Sequence, residues 1–249
     1  MIEWVFIISL LFIVLVIFYK QANEEFTILQ LEGNQLVSLP NLLSEKYPIV
    51  IRQVQMPTFF TPEAIQQNTR IQTFPVTADK QLKDALSDTT LSLPLGASRI
   101  LAQQVGLQVW AEHTWLPYVS TWSFLNFVNT SANLGEQGLR KTTAYCTLLM
   151  PTSQSINVMI MTSGQEKYLP ANWYNTDPEV YTLNDTPMVG QIKFMVIKVK
   201  PGNCLCLPPH WLYTLRASDP KKAMLWCCLE IQNPLSWMAT RLEEQAMKN

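Results

Sequence analysis

Charge is scarce in this chain: Lys+Arg 18 and Asp+Glu 19 make up 15% of its 249 residues, and the formal net charge is -1. No basic run of the kind that tracks phosphates occurs, which excludes nucleic acid as an expected partner. Histidine is scarcer still. His113 and His210 are the only two, so any two-histidine metal centre has to use both. Glycine numbers 8 against 16 prolines, and with recurrent β-branched residues this leans toward strands punctuated by proline turns. Cysteine is present without a pattern. Cys204 and Cys206 share one face of a strand, while Cys227 and Cys228 are adjacent and point to opposite faces. Neither spacing is that of a secreted disulfide framework, and C-x-x-C pairs of the ordinary zinc type are missing. The expectation is buried free thiols in a reducing compartment. There is no internal repeat and no low-complexity run.

Apolar residues are what the chain has in quantity, at 48%, and their longest run lies at the start. Trp4 to Tyr19 (WVFIISLLFIVLVIFY) is interrupted by Ser9 alone. As a helix these residues span about 24 Å, slightly less than a hydrocarbon core of about 30 Å, with an aromatic residue at each end. A cleaved signal peptide normally has a basic n-region and a small-residue cleavage site. Here Met1-Ile2-Glu3 precedes the run and Phe18-Tyr19-Lys20-Gln21 follows it. The expectation is a single transmembrane anchor. Lys20 on its downstream side puts the main domain in the cytosol by the positive-inside rule, and the free thiols agree. Two glycosylation triplets, at Asn129 and Asn184, point the other way.

Downstream, residues 21–41 read as a tether and a leading strand, and residues 42–249 as one domain. Leu42 to Tyr47 begins as a helix and breaks before Pro48, because a residue preceding proline is driven out of the α region. Ile49-Val50-Ile51 is then a buried strand. Thr61-Pro62 is a helix start, with threonine as N-cap and proline in the first turn. Lys80 to Ser92 reads as polar helix or loop. Gln108 to Val128 is dense in aromatics (Trp110, Trp115, Tyr118, Trp122, Phe124, Phe127) and reads as bulky filling for a β-barrel, with His113 a structural residue among them. The stretch from Val196 to Leu215 reads strand, Pro-Gly turn, strand, Pro-Pro stop, strand: Lys198 and Lys200 alternate with Val199 as at a half-exposed edge, and Cys204 to Leu207 is short and buried in character. Met224 to Ile231 is a final apolar strand. Ser236 is placed as the cap of a terminal helix over 237–248.

Two regions, Val196 to Leu215 and Gly135 to Pro170, carry a resemblance. Pro201-Gly202-Asn203-Cys204-Leu205-Cys206-Leu207-Pro208-Pro209-His210-Trp211-Leu212-Tyr213 resembles the C-terminal half of the metal site in cupin-like domains of the JmjC group. That family runs approximately Pro-Gly-Asp-x-Leu-φ-x-Pro-x-x-Trp-x-His there. Gly135-Glu136-Gln137-Gly138, followed by Thr142 and Thr143, resembles the family's Gly-x-x-Gly-x-x-Thr-x-x-His-x-Asp block. Ser163 to Pro170 resembles its Gly-x-Lys close, with Lys167 one residue late. The resemblance implies a mainly β fold: a cupin-like double-stranded β-helix, or jelly roll, with flanking helices, preceded here by the transmembrane helix. It also implies iron(II) held by two histidines and a carboxylate, with 2-oxoglutarate as co-substrate and Lys167 as the candidate for its carboxylate. On this overlay Ala144 and Tyr213 stand in the two histidine positions and Cys146 in the aspartate position, so the metal ligands are lost. His113 and His210 are the fallback ligands.

Three functions remain open on these grounds. The first is a membrane-anchored, cupin-like pseudoenzyme without cofactor, held in the membrane by residues 4–19. It has a structural or interaction role toward a protein partner, as suits a membrane-associated assembly, a viral one included. The alternative is an atypical iron(II)- and 2-oxoglutarate-dependent hydroxylase. The third is an unrelated anchored β-sandwich.

Overall fold

Prolines and glycines mark where the chain turns, and between them the apolar runs pair into two sheets. The computed structural model describes residues 9, 10, 12–14, 27–88, 91–119 and 125–238. Among these residues the strands are β1 (Leu29–Glu32), β2 (Ile49–Arg52), β3 (Phe127–Leu134), β4 (Gln137–Lys141), β5 (Cys146–Pro151), β6 (Ile156–Met161), β7 (Met195–Val199), β8 (Cys204–Leu207), β9 (Leu212–Ala217) and β10 (Leu225–Gln232). One sheet has the order β1-β2-β8-β5-β10-β3 and the other β4-β9-β6-β7. Neighbours are antiparallel throughout, except that β1 runs parallel to β2. The expectation of a mainly β fold with helices beside it holds at this level.

The larger sheet is covered on both faces, which is why its central strands are apolar nearly throughout. Cys146, Leu148 and Met150 of β5, with Cys204 and Cys206 of β8, face a core shared with Leu39, Ile65, Leu101, Leu107 and Trp115 from the helices. Their alternating neighbours Leu149, Leu205 and Leu207 face the core between the sheets, where they join Val158 and Ile160 of β6 and Leu215 of β9. The edge strand β7 shows the expected alternation, with Ile197 and Val199 buried and Val196 and Lys198 exposed. The turn after it closes through Asn203 N–H donating to the Lys200 carbonyl at 3.0 Å. Gly202 there has φ 88°, the left-handed conformation that follows proline in a type II turn.

Several local expectations meet the structure directly. Thr61 caps the helix Pro62–Gln67, its hydroxyl accepting from Ala64 N–H. The aromatic stretch 108–128, expected as barrel filling, is instead helical where it falls in Leu107–Thr114 and Leu116–Val119, and enters a strand only at Phe127. Leu107, Ala111 and Trp115 are buried at i, i+4 and i+8, so the helical period prevails over the aromatic bias toward strands. Trp122 and Phe124 lie outside the described residues. Of the polar stretch 80–92, Leu82–Ala85 is helical. The terminal helix begins at residue 234, earlier than expected. Its cap is Asn233, whose Oδ1 accepts from Ser236 N–H at 2.8 Å while Ser236 Oγ accepts from Asn233 N–H at 2.9 Å. Ser236 is thus the third residue of a reciprocal cap rather than the cap itself. Among the described residues no helix is long and apolar enough to cross a membrane. Most of the expected anchor, residues 4–19, lies outside them, and the part described (9, 10 and 12–14) is helical.

Candidate functional site

The β4–β5 and β8–β9 connections meet at one end of the paired sheets, and a single threonine joins them. Thr142 N–H donates to the Trp211 carbonyl at 2.8 Å, and its own carbonyl accepts from His210 N–H at 2.7 Å. Thr142 Oγ1 donates to the Pro208 carbonyl at 2.6 Å and accepts from Trp211 N–H at 2.9 Å. Pro208 and Pro209 have no N–H to offer, so this end of β8 is satisfied through Thr142 instead. His210 takes φ 69° in the bend.

Arg140, two residues before the β4–β5 connection, and Tyr213, two after the β8–β9 connection, lead from them into the space between the sheets. A cleft of about 310 Å³, counting its open mouth, lies between β3 and β10 on one side and β4 and β9 on the other. Tyr213, Gln137 and Arg140 line it from the smaller sheet, and Ser131, Cys228 and Glu230 from the larger. Arg140 pairs with Tyr213 across β4 and β9, after a register shift between Gln137 and Arg140. Gln137 Nε2 donates to the Tyr213 hydroxyl over a long 3.5 Å. These side chains leave about 20 Å³ of free space, room for about one water. Arg140 Nε, Thr130 Oγ1 and Thr147 Oγ1 are buried with no hydrogen-bond partner. Glu230 stands directly between Asn129 and Thr147 in the strand register.

The electrostatics follow from burial. The Tyr213 phenol is raised well above its usual range, chiefly by desolvation, then by Cys228 and Glu230; Arg140 and the Gln137 bond pull the other way. Cys228 is likewise raised well above its usual range, by burial first and Glu230 second, against Arg140 and a bond to Ser131. At neutral pH both groups are uncharged, and the other ionisable side chains lining the cleft are Arg99, Arg140 and Glu230.

The residues singled out from the sequence are dispersed. Tyr213 is in the cleft. Ala144 is fully buried in the β4–β5 turn. Cys146 packs on the opposite face of the larger sheet, against the helices, with its sulfur 2.9 Å from that of Cys206. Strand alternation gives the inward position to Thr147 instead. Lys167 is exposed in the 3-10 turn Ser163–Tyr168, its Nζ 4.7 Å from the Tyr168 ring centre. His113 is exposed on a helix that packs its other face on β3, and His210 is exposed in the β8–β9 bend. Among the described residues no three His, Cys, Asp or Glu side chains are grouped as a metal site requires.

Sequence reasoning passed over Arg140, Gln137 and Glu230. Glu230 carries a signal in retrospect, as the one charge inside the apolar run from Met224 to Ile231. The glycine pair before the site has a packing reason. A Cβ on Gly138 would stand 2.3 Å from the Asn175 carbonyl oxygen, where the 173–177 segment bonds the edge of β4 through Leu139 N–H to Thr176 O and Asn175 N–H to Leu139 O. No protein-family model matches this chain, and no curated protein sequence matches it.

Proposed function

We propose that this chain is a membrane-anchored, cupin-like domain that has given up oxygenase chemistry and serves a structural or interaction role toward a protein partner. The strand order supports the jelly-roll part of this reading. Counting from β3, the eight strands run 1-8-3-6 in one sheet and 2-7-4-5 in the other, the order of a double-stranded β-helix. β1 and β2 extend the first sheet beyond it. The anchor is supported by Leu10, Phe12, Ile13 and Val14, which are helical and between 41% and 66% exposed. At about 100° per residue these positions point to several sides of the helix, as lipid-facing residues do.

The filling of the cleft carries the proposal. Tyr213 stands where the resemblance calls for a histidine ligand, with Arg140 beside it. A guanidinium has five donors, no lone pair and a permanent positive charge, and a phenol kept protonated is a poor ligand. These donors do not fit an iron(II) that requires two imidazoles and a carboxylate, and room for one water does not hold an ion with its co-substrate. The five free thiols support a cytosolic domain.

Metal analysis tests this reading. Full-length protein in detergent, loaded anaerobically with iron(II) and desalted, is expected to retain far less than one iron per chain. One iron per chain, lost in Tyr213→Phe or His210→Ala, favours the hydroxylase.

A further inference from the structure

Cys146 opens β5, and Cys206 lies near the end of β8 beside it. The register pairs Thr147 with Leu207 and Leu148 with Cys206, so Cys146 and Cys206 are diagonal neighbours on the same face of the sheet. Their sulfurs are 2.9 Å apart, less than about 1 Å beyond the roughly 2.04 Å of an S–S bond. The other thiols are not so placed. Cys204 is two residues from Cys206 on one strand, about 6.6 Å along it. Cys227 is on β10, which β5 separates from β8, a span of about 9.5 Å. Cys228 faces the other way, into the inter-sheet core. Geometry therefore selects one pair out of five cysteines.

We propose that Cys146 and Cys206 are a modification site: on oxidation they form a cross-strand disulfide that clamps the β4–β5 and β8–β9 connections. Cys146 immediately follows the Thr142–Tyr145 turn, and Cys206 precedes the Pro208–Trp211 bend, the two connections that Thr142 holds together. A covalent bond between β5 and β8 at this point ties both connections at their roots. The chemistry balances with a disulfide oxidant such as oxidised glutathione. One protein thiolate attacks it, forming a mixed disulfide and releasing one glutathione thiol. The second protein thiol displaces the other glutathione, so two protein thiols lose two electrons and two protons, and one glutathione disulfide becomes two thiols. Both cysteines are fully buried. Cys146 is held protonated by its bond to Cys206 and by burial, so the reaction proceeds through local opening rather than in the closed state.

The test uses full-length protein in detergent, held in a glutathione redox buffer at a urea concentration just below the unfolding midpoint, so that opening exposes every thiol. After acid quenching, denaturation and alkylation, digestion and mass spectrometry locate the bonds. The expected result is a fall from five alkylated cysteines to three, with Cys146 and Cys206 in one linked peptide. The melting temperature of the oxidised form is expected to rise by about 5–10 °C and to return with dithiothreitol. Amide exchange at Thr142 and Trp211 is expected to slow in parallel. In Cys206→Ser the glutathione is expected to remain on Cys146 as a mixed disulfide. Five alkylated cysteines at equilibrium, a bond that uses Cys204, Cys227 or Cys228, or a stable glutathione adduct on Cys146 in the unsubstituted protein would each overturn the proposal.

Discussion

Tyr213 and four of the buried thiols hold their protons in the folded state more tightly than an open chain would. Tyr213, Cys146, Cys204, Cys227 and Cys228 are all raised, with burial the first cause for every one but Cys146, where the bond to Cys206 leads. On unfolding, the thiols regain an ordinary value near 9.0 and the phenol one near 10.0. The sign follows. Below pH 9 both states are protonated and nothing changes. Above it the unfolded chain releases protons that the folded chain keeps, so stability falls as pH rises toward the raised folded values, by at most about 1.4 kcal/mol per pH unit for each group. Urea midpoints are expected to be flat for these groups between pH 7 and 8.5 and to drop steeply between pH 9 and 10.5. A midpoint unchanged across the alkaline range contradicts the burial of the thiols. At this scale the sequence was informative about kind more than place. Free buried cysteines were legible from their spacing, and Tyr213 was picked out by the Pro-Gly-to-Trp frame around it. Arg140 and Glu230 were not, because a charge aimed between two sheets looks in sequence like a charge aimed at solvent.

At the level of elements, strands read well wherever turn chemistry bounded them. Pro201-Gly202 and Pro208-Pro209 delimit β7, β8 and β9, and Pro48 delimits β2. The aromatic stretch from Gln108 read poorly since aromatic density speaks for strands, whereas burial of Leu107, Ala111 and Trp115 is a helical stripe that tertiary packing selects. Parity was the finer obstacle. A strand turns alternate residues to opposite faces, so an overlay one residue out of parity assigns Cys146 to the space between the sheets when it is Thr147 that has that side. Gly138 offers a test of how β4 is held. Its missing side chain lets the Asn175 carbonyl close the strand's edge, and an alanine Cβ meets backbone there at 2.3 Å, which cannot swing aside as a flexible side chain can. Gly138→Ala is expected to cost about 1–3 kcal/mol in urea unfolding. The loss should come with faster amide exchange at Leu139 and Asn175, which bond across this edge. An unchanged midpoint means the 173–177 segment is free to move off β4.

At the scale of the whole molecule, a short apolar segment precedes a two-sheet domain. Among the described residues, 31 to 231 supply every member of the buried clusters, and deleting residues 1–20 is expected to shift the protein from the membrane to the soluble fraction with its melting temperature unchanged within about 2 °C. A truncated form that stays in carbonate-washed membranes contradicts the anchor. The mainly β character was legible because proline turns and buried strands recur at the spacing a β-rich domain needs, while the cleft's contents depend on which strands become neighbours across the gap. The central claim concerns that cleft, and one measurement addresses it most directly. Full-length protein is mixed anaerobically with iron(II) and 2-oxoglutarate, its visible spectrum recorded, and succinate followed once oxygen is admitted. On the proposed reading, in which Tyr213, Arg140 and Gln137 occupy the cleft, neither the weak visible charge-transfer band nor succinate above the protein-free rate is expected. A band together with succinate release, both abolished by His210→Ala or His113→Ala, would contradict the account and make the chain a hydroxylase.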